Sequence, residues 1–364
     1  MASSSHFLLL LSCFTYLVNI IQIQSFHLQP NAIVLPVLKD APTLQYLTSI
    51  YHVSQSSAQE LEQYWIGESK TCDVFPENGI TGSSTRGQLV EGTVAVGSKA
   101  DPLITTIDQF LFSCSPRFLL QGLASGARGI LGLGRAPISL PSQLATAIGH
   151  HRKFLMCLSS SNGVVLSHNG PLDSIFGTET SRSSQIYTPF TGTSQDYFIE
   201  VKSIKINGNT LSLNVKGLTK LSTIVPYTTM ESSIYATFSK AFMKAAASRN
   251  MTRVAPVAPF AHCFSSKGID ESAVPVIDLV LQSEMVKWRI YVSNSMIRMN
   301  QQEVMCLAFL DGGSDLTSSI VIGGFQLEDN LLDFDLATSM LGFASFRQTG
   351  CSNFIPDSVL KDSL

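Results

Sequence analysis

The chain has 364 residues, 45% of them hydrophobic and 14% charged, with a formal net charge of −3. That length accommodates two domains, and that composition supplies two apolar cores. A slightly acidic balance, with no Lys/Arg cluster interleaved with aromatics, offers a polyanion nothing to grip and argues against nucleic acid as a partner.

Phe7–Ile23 (FLLLLSCFTYLVNIIQI) opens the chain as an apolar run broken by Ser, Thr and Asn. We read residues 1–24 as a secretory signal peptide cleaved near Ser25, although it has no Lys or Arg ahead of the run and no small-x-small site. The run is short for an anchor helix and no later run is long enough to span a bilayer, so no membrane association is expected after cleavage. Removal of the leader takes Cys13 and leaves Cys72, Cys114, Cys157, Cys263, Cys306 and Cys351. An even set in an oxidising compartment points to disulfides, with spacing alone leaving the pairing open. None has C-x-x-C spacing, so no metal is expected, and no motif calls for a cofactor.

Further along, short β segments alternate with Gly, Ser, Thr and Pro clusters, the pattern of an all-β protein with a few short helices. Gly129–Gly134 (GILGLG) has its glycines in the order G-x-x-G-x-G, without a βαβ unit around it, and reads as a tight turn rather than a dinucleotide loop. The polar stretch Thr178–Gln195 reads as an inter-lobe linker. Tyr197–Ile206 alternates in part and runs into an Asn207-Gly208 turn. Ser232–Ser248 places Ile234, Phe238, Phe242 and Met243 at helical spacing. It leads directly to Asn250-Met251-Thr252, the one N-glycosylation sequon of the chain. Val254–Pro259 (VAPVAP) cannot be helical, because its prolines lack a donor and bias their neighbours to extended geometry. Val274–Leu281 and Ser319–Gly323 are compact apolar runs of strand length.

Gly129–Leu144 (GILGLGRAPISLPSQL) and Val321–Ala344 (VIGGFQLEDNLLDFDLATSMLGFA) resemble the bilobal aspartic proteases. Thr71–Pro76, Leu119–Ser125, Tyr197–Asn207, Leu221–Tyr235, Pro256–Phe264 and Ile277–Glu284 narrow the resemblance to the plant extracellular dermal glycoproteins, basic 7S globulins, and xylanase and xyloglucanase inhibitor proteins. The resemblance covers nearly all of Thr71–Cys351. It implies a pepsin-like fold of two β lobes, at 25–177 and 196–364, the second of the xylanase-inhibitor C-terminal type. It also implies secretion into the plant cell wall (the apoplast) and inhibition of microbial glycoside hydrolases in place of proteolysis.

Aspartic proteases activate one water between two carboxylates that share a proton, each Asp sitting in an Asp-Thr/Ser-Gly turn. This chain contains no Asp-Thr-Gly and no Asp-Ser-Gly. Active plant relatives carry a Tyr 13 residues after the second Asp. Counting back from Tyr235 lands on Ser222, a hydroxyl that cannot replace a carboxylate as general base. Ser222 as a nucleophile would need a base and a sharp Ser-x-Gly elbow, and neither is visible, so it is expected to be structural.

The first catalytic position falls in a gap. Asn31–Ile50 matches the family's first strands, but polar Tyr51–Lys70 stands where the family continues with its first Asp turn and a cysteine-rich stretch. The N-terminal lobe is therefore expected to be incomplete, to expose new sheet edges, and to leave Cys72 and Cys114 without their usual partners. The same resemblance implies Cys263–Cys306 within the C-lobe and Cys157–Cys351 between lobes.

In the inhibitor family a basic side chain on the loop before the last cysteine enters the hydrolase cleft, between the two carboxylates that flank the scissile bond. The matching stretch here is Phe346–Cys351, which makes Arg347 the candidate contact, with a guanidinium able to fork across two carboxylates. Lys267, on the loop after Cys263, is the second basic candidate. The expected function is a secreted, non-catalytic inhibitor of glycoside hydrolases; an aspartic endopeptidase, and a storage globulin or inactive copy, are the alternatives.

Overall fold

A computed structural model describes residues 32–39, 46–47, 51–52, 73–74, 83–85, 87–96, 105–114, 116–121, 130–168, 185–213, 217–299, 303–314, 316–345 and 350–351. The chain divides into two compact units, one of Met1–Ser183, Asp333–Ala337 and Phe346–Leu364, the other of Ser184–Leu332 and Thr338–Ser345. The chain first passes from one unit to the other between Ser183 and Ser184, and it returns to the first unit at Asp333.

In the first unit, β1 (Ala32–Lys39), β2 (Tyr46–Leu47), β3 (Tyr51–His52) and β4 (Asp73–Val74) precede two long strands, β5 (Gly87–Val96) and β6 (Thr105–Cys114). β5 and β6 form an antiparallel ribbon with a register shift between Gly92 and Val94, and β3 and β4 pair with β5. Residues 130–139 run without regular structure into α1 (Leu140–Ile148), which is capped at its end by Gly149 in left-handed geometry (φ 68°). β7 (Lys153–Leu158) and β8 (Asn162–His168) form a hairpin, and β1 adds antiparallel to β8 along seven residue pairs. Leu140 and Leu144 of α1 join Phe154, Leu155 and Leu166 in the buried core.

The second unit begins with β9 (Ile186–Pro189), β10 (Phe198–Ile199), β11 (Ser203–Ile206) and β12 (Asn209–Thr210). The expected Asn207-Gly208 turn joins β11 to β12, with φ of 49° and 81° at its two residues, the conformation that favours this pair in tight hairpins. β13 (Thr219–Leu221), β14 (Thr228–Met230) and α2 (Ser232–Ala247) follow, the helix matching the 3.6-residue pattern read from Ser232–Ser248. Phe238 and Phe242 of α2 are fully buried, the first packing on Phe309 (4.9 Å between centroids) and the second on Phe264 (6.4 Å).

β15 (Arg253–Val254), β16 (Cys263–Ser265), β17 (Ile277–Ser283) and β18 (Val286–Ile290) come next, then α3 (Val292–Ser295), β19 (Met296–Met299), β20 (Val304–Leu307) and β21 (Phe309–Asp311). The unit closes with β22 (Ile320–Ile322), α4 (Gly324–Leu327), β23 (Asn330–Asp335), whose last residues belong to the first unit, and β24 (Met340–Ser345). Three sheets have the orders β10-β13-β22-β14-β21, β12-β11-β17-β18 and β15-β16-β20-β19, and β24 pairs with β9. Mostly β, with few and short helices, the protein has a pepsin-like fold.

Two disulfides are formed among the described residues. Cys263 and Cys306 stand directly opposite each other on β16 and β20, with Cα atoms 4.0 Å apart. Cys157 of β7 joins Cys351, 194 residues away; the pairing is the expected one, but both cysteines belong to the first unit, because the chain returns to it after Ser345, so the bridge closes that unit rather than running between lobes. The leader, Cys72, Tyr51–Lys70 beyond His52, and the Cys114 side chain lie outside the described residues. No helix among the described residues is long and apolar enough to cross a membrane.

Candidate functional site

Ser222 sits at the mouth of a loop whose geometry follows from strand order. β13 and β14 are consecutive in sequence, yet β22 lies between them, parallel to β13 and antiparallel to β14. The connection Ser222–Tyr227 must therefore pass over the end of β22. It is tied there by backbone bonds: Ser222 N–H donates to Ile322 O (3.0 Å), Gly324 N–H to Val225 O (2.8 Å) and Phe325 N–H to Pro226 O (2.9 Å). Gly323 has no room for a side chain, since a Cβ would lie 2.4 Å from the Tyr227 carbonyl carbon.

Beneath the loop, one buried amide organises the frame. Gln326, fully buried, accepts at Oε1 from Thr228 N–H and Thr228 Oγ1 (both 2.8 Å) and donates from Nε2 to Asn294 O and Ala308 O (both 2.9 Å). Thr228 Oγ1 in turn accepts from Gly323 N–H at 3.2 Å. A polar side chain with all its capacity used in the interior specifies one arrangement of the strands it bridges. Sequence reading missed it; a Gln inside the otherwise apolar stretch Val321–Leu327 is the signal that marks it.

At Ser222 itself the hydroxyl oxygen accepts from Ile224 N–H (3.2 Å) and, more weakly, from Val225 N–H (3.4 Å). This is a local turn made by a Ser side chain. Among the described residues no carboxylate or imidazole is hydrogen-bonded to it, so nothing there removes its proton.

The acidic groups that follow in sequence are committed to other work. Glu231 precedes α2 and accepts from Ser233 N–H (3.1 Å) and the Ser233 hydroxyl, while Asp311 Oδ1 accepts from the Ser232 hydroxyl (2.7 Å) and Gly313 N–H (2.9 Å). These bonds hold both carboxyls below their usual values, Glu231 through Ser233 and Asp311 through Ser232. A proton-sharing dyad needs one carboxyl raised and one lowered. Glu231 caps the start of α2 instead, and Asp311 ties the Ser232 hydroxyl to the turn at Gly313.

Lys267 is exposed, and its Nζ lies 2.6 Å from Glu303 Oε2, also exposed. The pair holds together weakly in solvent. Arg347 lies outside the described residues. Asn250 is exposed in left-handed geometry (φ 58°) just past α2. Among the described residues no group of three or more His, Cys, Asp or Glu side chains gathers in a way that would hold a metal ion.

Comparison with known proteins agrees with this architecture. A family described as xylanase inhibitor C-terminal matches residues 196–345, and one described as xylanase inhibitor N-terminal matches residues 48–167. The chain is 40% identical to a probable aspartic proteinase GIP2 of Nicotiana benthamiana over 407 residues, covering 90% of this chain and 92% of the relative. That aligned span exceeds the 364 residues of the chain, so the relative holds residues with no counterpart here. The crystal structure of edgp superposes with a TM-score of 0.77 at 42% identity, covering 89% of this chain and 98% of that one. The crystal structure of basic 7S globulin from soybean superposes with a TM-score of 0.73 at 30% identity, covering 90% of this chain and 100% of that one. The chain belongs to the xylanase-inhibitor-like family of pepsin-fold proteins that includes the basic 7S globulins.

Proposed function

We propose that this chain is a secreted, non-catalytic protein that inhibits microbial glycoside hydrolases in the plant cell wall. The observation that supports the non-catalytic part is Ser222, which the 13-residue spacing to Tyr235 assigns to the second catalytic position in this reading: its hydroxyl oxygen accepts from the Ile224 and Val225 N–H groups. Without a carboxyl pair there is no base to activate a water. The absence of any Asp-Thr-Gly or Asp-Ser-Gly from the full sequence supports the same conclusion for the first position. The N-terminal lobe lacks the family's first Asp turn in this reading, which assigns the residues missing relative to the Nicotiana protein to the interval around Tyr51–Lys70.

Inhibition then rests on charge. A glycosidase cleft presents two catalytic carboxylates, and a guanidinium set between them is attracted and blocks the substrate. Arg347 is the residue we assign to this role. Lys267 is the weaker candidate, because it must first leave Glu303. The test is titration of the purified protein against xylanases and endoglucanases of glycoside hydrolase families 11 and 12. Dose-dependent inhibition that Arg347→Ala abolishes supports the proposal. Unchanged potency clears Arg347, and no inhibition of any enzyme returns the chain to a storage or inactive role. Acid-pH cleavage that pepstatin blocks would restore the endopeptidase reading.

A further inference from the structure

We propose that a recess in the second unit, lined by Met296 and Met305 and flanked by Arg298 and Glu271, binds a free α-amino acid with an apolar side chain. The recess uses neither Arg347 nor Lys267, so its occupancy is independent of any contact with a glycosidase.

Strand pairing builds the recess. On β19, Met296 and Arg298 are two residues apart and share a face, and Arg298 stands opposite Met305 of β20. With Ile297 and Phe325 they line a cavity of about 230 Å³. Met296 and Met305 are buried, while Ile297 and Phe325 are half-buried. The surrounding frame is fixed. Asn294 Nδ2 donates to Phe325 O (3.1 Å) and Glu328 O (2.8 Å), which ties α3 to α4 and the residue after it. Gln326 Nε2 returns a bond to Asn294 O (2.9 Å). A cavity with walls already held costs a ligand little in ordering the protein.

The lining selects the ligand. Two thioethers, an isoleucine and a phenyl ring accept an apolar body, and methionine adapts its shape to what it meets. Ser293 also lines the cavity, but its hydroxyl is given to Asn294 Oδ1 (2.9 Å). The two charges that remain are of opposite sign. Arg298 Nη2 lies 3.7 Å from Glu271 Oε1, too far for a hydrogen bond, and the side chains are 54% and 60% exposed. Such a pair is held weakly and opens readily. Among the described residues neither side chain makes a hydrogen bond to another group, so both keep their full capacity for a ligand. Glu271 repels a simple carboxylate and Arg298 repels a simple amine. An α-amino acid carries both groups on one carbon: its carboxylate meets Arg298, its ammonium meets Glu271, and its side chain enters the cavity.

The experiment titrates the purified full chain, labelled at its methionine methyl groups, with L-leucine, L-methionine and L-phenylalanine. Binding is followed by calorimetry and by the methyl resonances of Met296 and Met305. We expect at least one of the three to bind saturably at one site and to shift both resonances. Its counterpart without the amine, its counterpart without the carboxylate, and glycine should each bind at least about tenfold more weakly. Arg298→Gln and Glu271→Gln change exposed side chains and leave the fold intact, and each should lower affinity by a similar factor. No binding of any of the three overturns the site. Equal affinity for either single-charge counterpart overturns the recognition of both groups. Binding that moves neither methionine, or that both variants retain unchanged, places the ligand elsewhere and overturns the assignment.

Discussion

Lys153 Nζ lies 2.9 Å from Asp333 Oδ2, pairing the first residue of β7 with a side chain on β23 that is 1% exposed. The lysine side chain is 25% exposed and reaches the carboxylate from the surface, yet neither Asp333 oxygen receives a well-directed hydrogen bond. One position along, Phe154 and Phe334 stack at 4.6 Å, and Leu336 N–H donates to Arg152 O (2.9 Å), so these contacts hold the returning segment 333–337 on the first unit.

Burial raises the Asp333 carboxyl above its usual value, Lys153 offsets part of that, and Asp335 adds to the rise. A carboxyl whose folded pKa lies above its unfolded value stabilises the fold below the unfolded pKa and loses that contribution as pH rises through the folded one. Stability measured by urea unfolding should therefore increase as pH falls from neutral towards about 4. Asp333→Asn should flatten that rise. Lys153→Met should cost about 3–5 kcal/mol at neutral pH, because it strands a buried charge, and less at acid pH. Parallel pH profiles for all three proteins would remove Asp333 as the cause.

The frame under Ser222 makes a second expectation. Gly323→Ala drives a Cβ into the Tyr227 backbone, which cannot yield like a side-chain tip; we expect a loss of about 3 kcal/mol. Gln326→Leu leaves Thr228 N–H, Asn294 O and Ala308 O without their partner. Each buried orphan costs about 1–3 kcal/mol, so the second unit should fail to unfold cooperatively or lose most of its stability. Calorimetry of both variants decides; a Gln326→Leu transition matching the parent would refute the role of the amide.

A third concerns β6. The Gln143 amide on α1 accepts from Leu111 N–H (2.7 Å) and donates to Leu111 O (2.9 Å), filling backbone positions that a neighbouring strand would otherwise take. This side chain covers backbone groups that an edge strand would otherwise expose. Gln143→Ala should lower stability by about 1–2 kcal/mol and raise concentration-dependent light scattering. Stability loss without association would mean that the edge is protected by other means.

The disulfides provide a fourth. Cys157–Cys351 closes a separation of 194 residues and Cys263–Cys306 one of 43. On chain-entropy grounds their removal by paired Cys→Ala substitution costs about 5 and about 4 kcal/mol. The first should show in unfolding of the first unit and the second in that of the second, followed by proteolysis of each unit in urea. A reversed assignment would contradict the pairing.

What the residues determine locally was legible from sequence. The apolar spacing of Ser232–Ala247, the Asn207-Gly208 turn, and the strands at Ile277–Ser283 and Ile320–Ile322 depend on neighbours within a few positions, and all stand where local chemistry puts them. The absence of both Asp turns is likewise a property of the string alone. Only tertiary structure decided that Gln326 sits saturated beneath the Ser222 loop, that Gln143 closes the edge at Leu111, and that Asp333 is buried beside Lys153. Those contacts join residues 18 to 180 positions apart. Periodicity reports which face of an element is apolar, but the partner across that face is chosen by strand order, which local patterning does not encode.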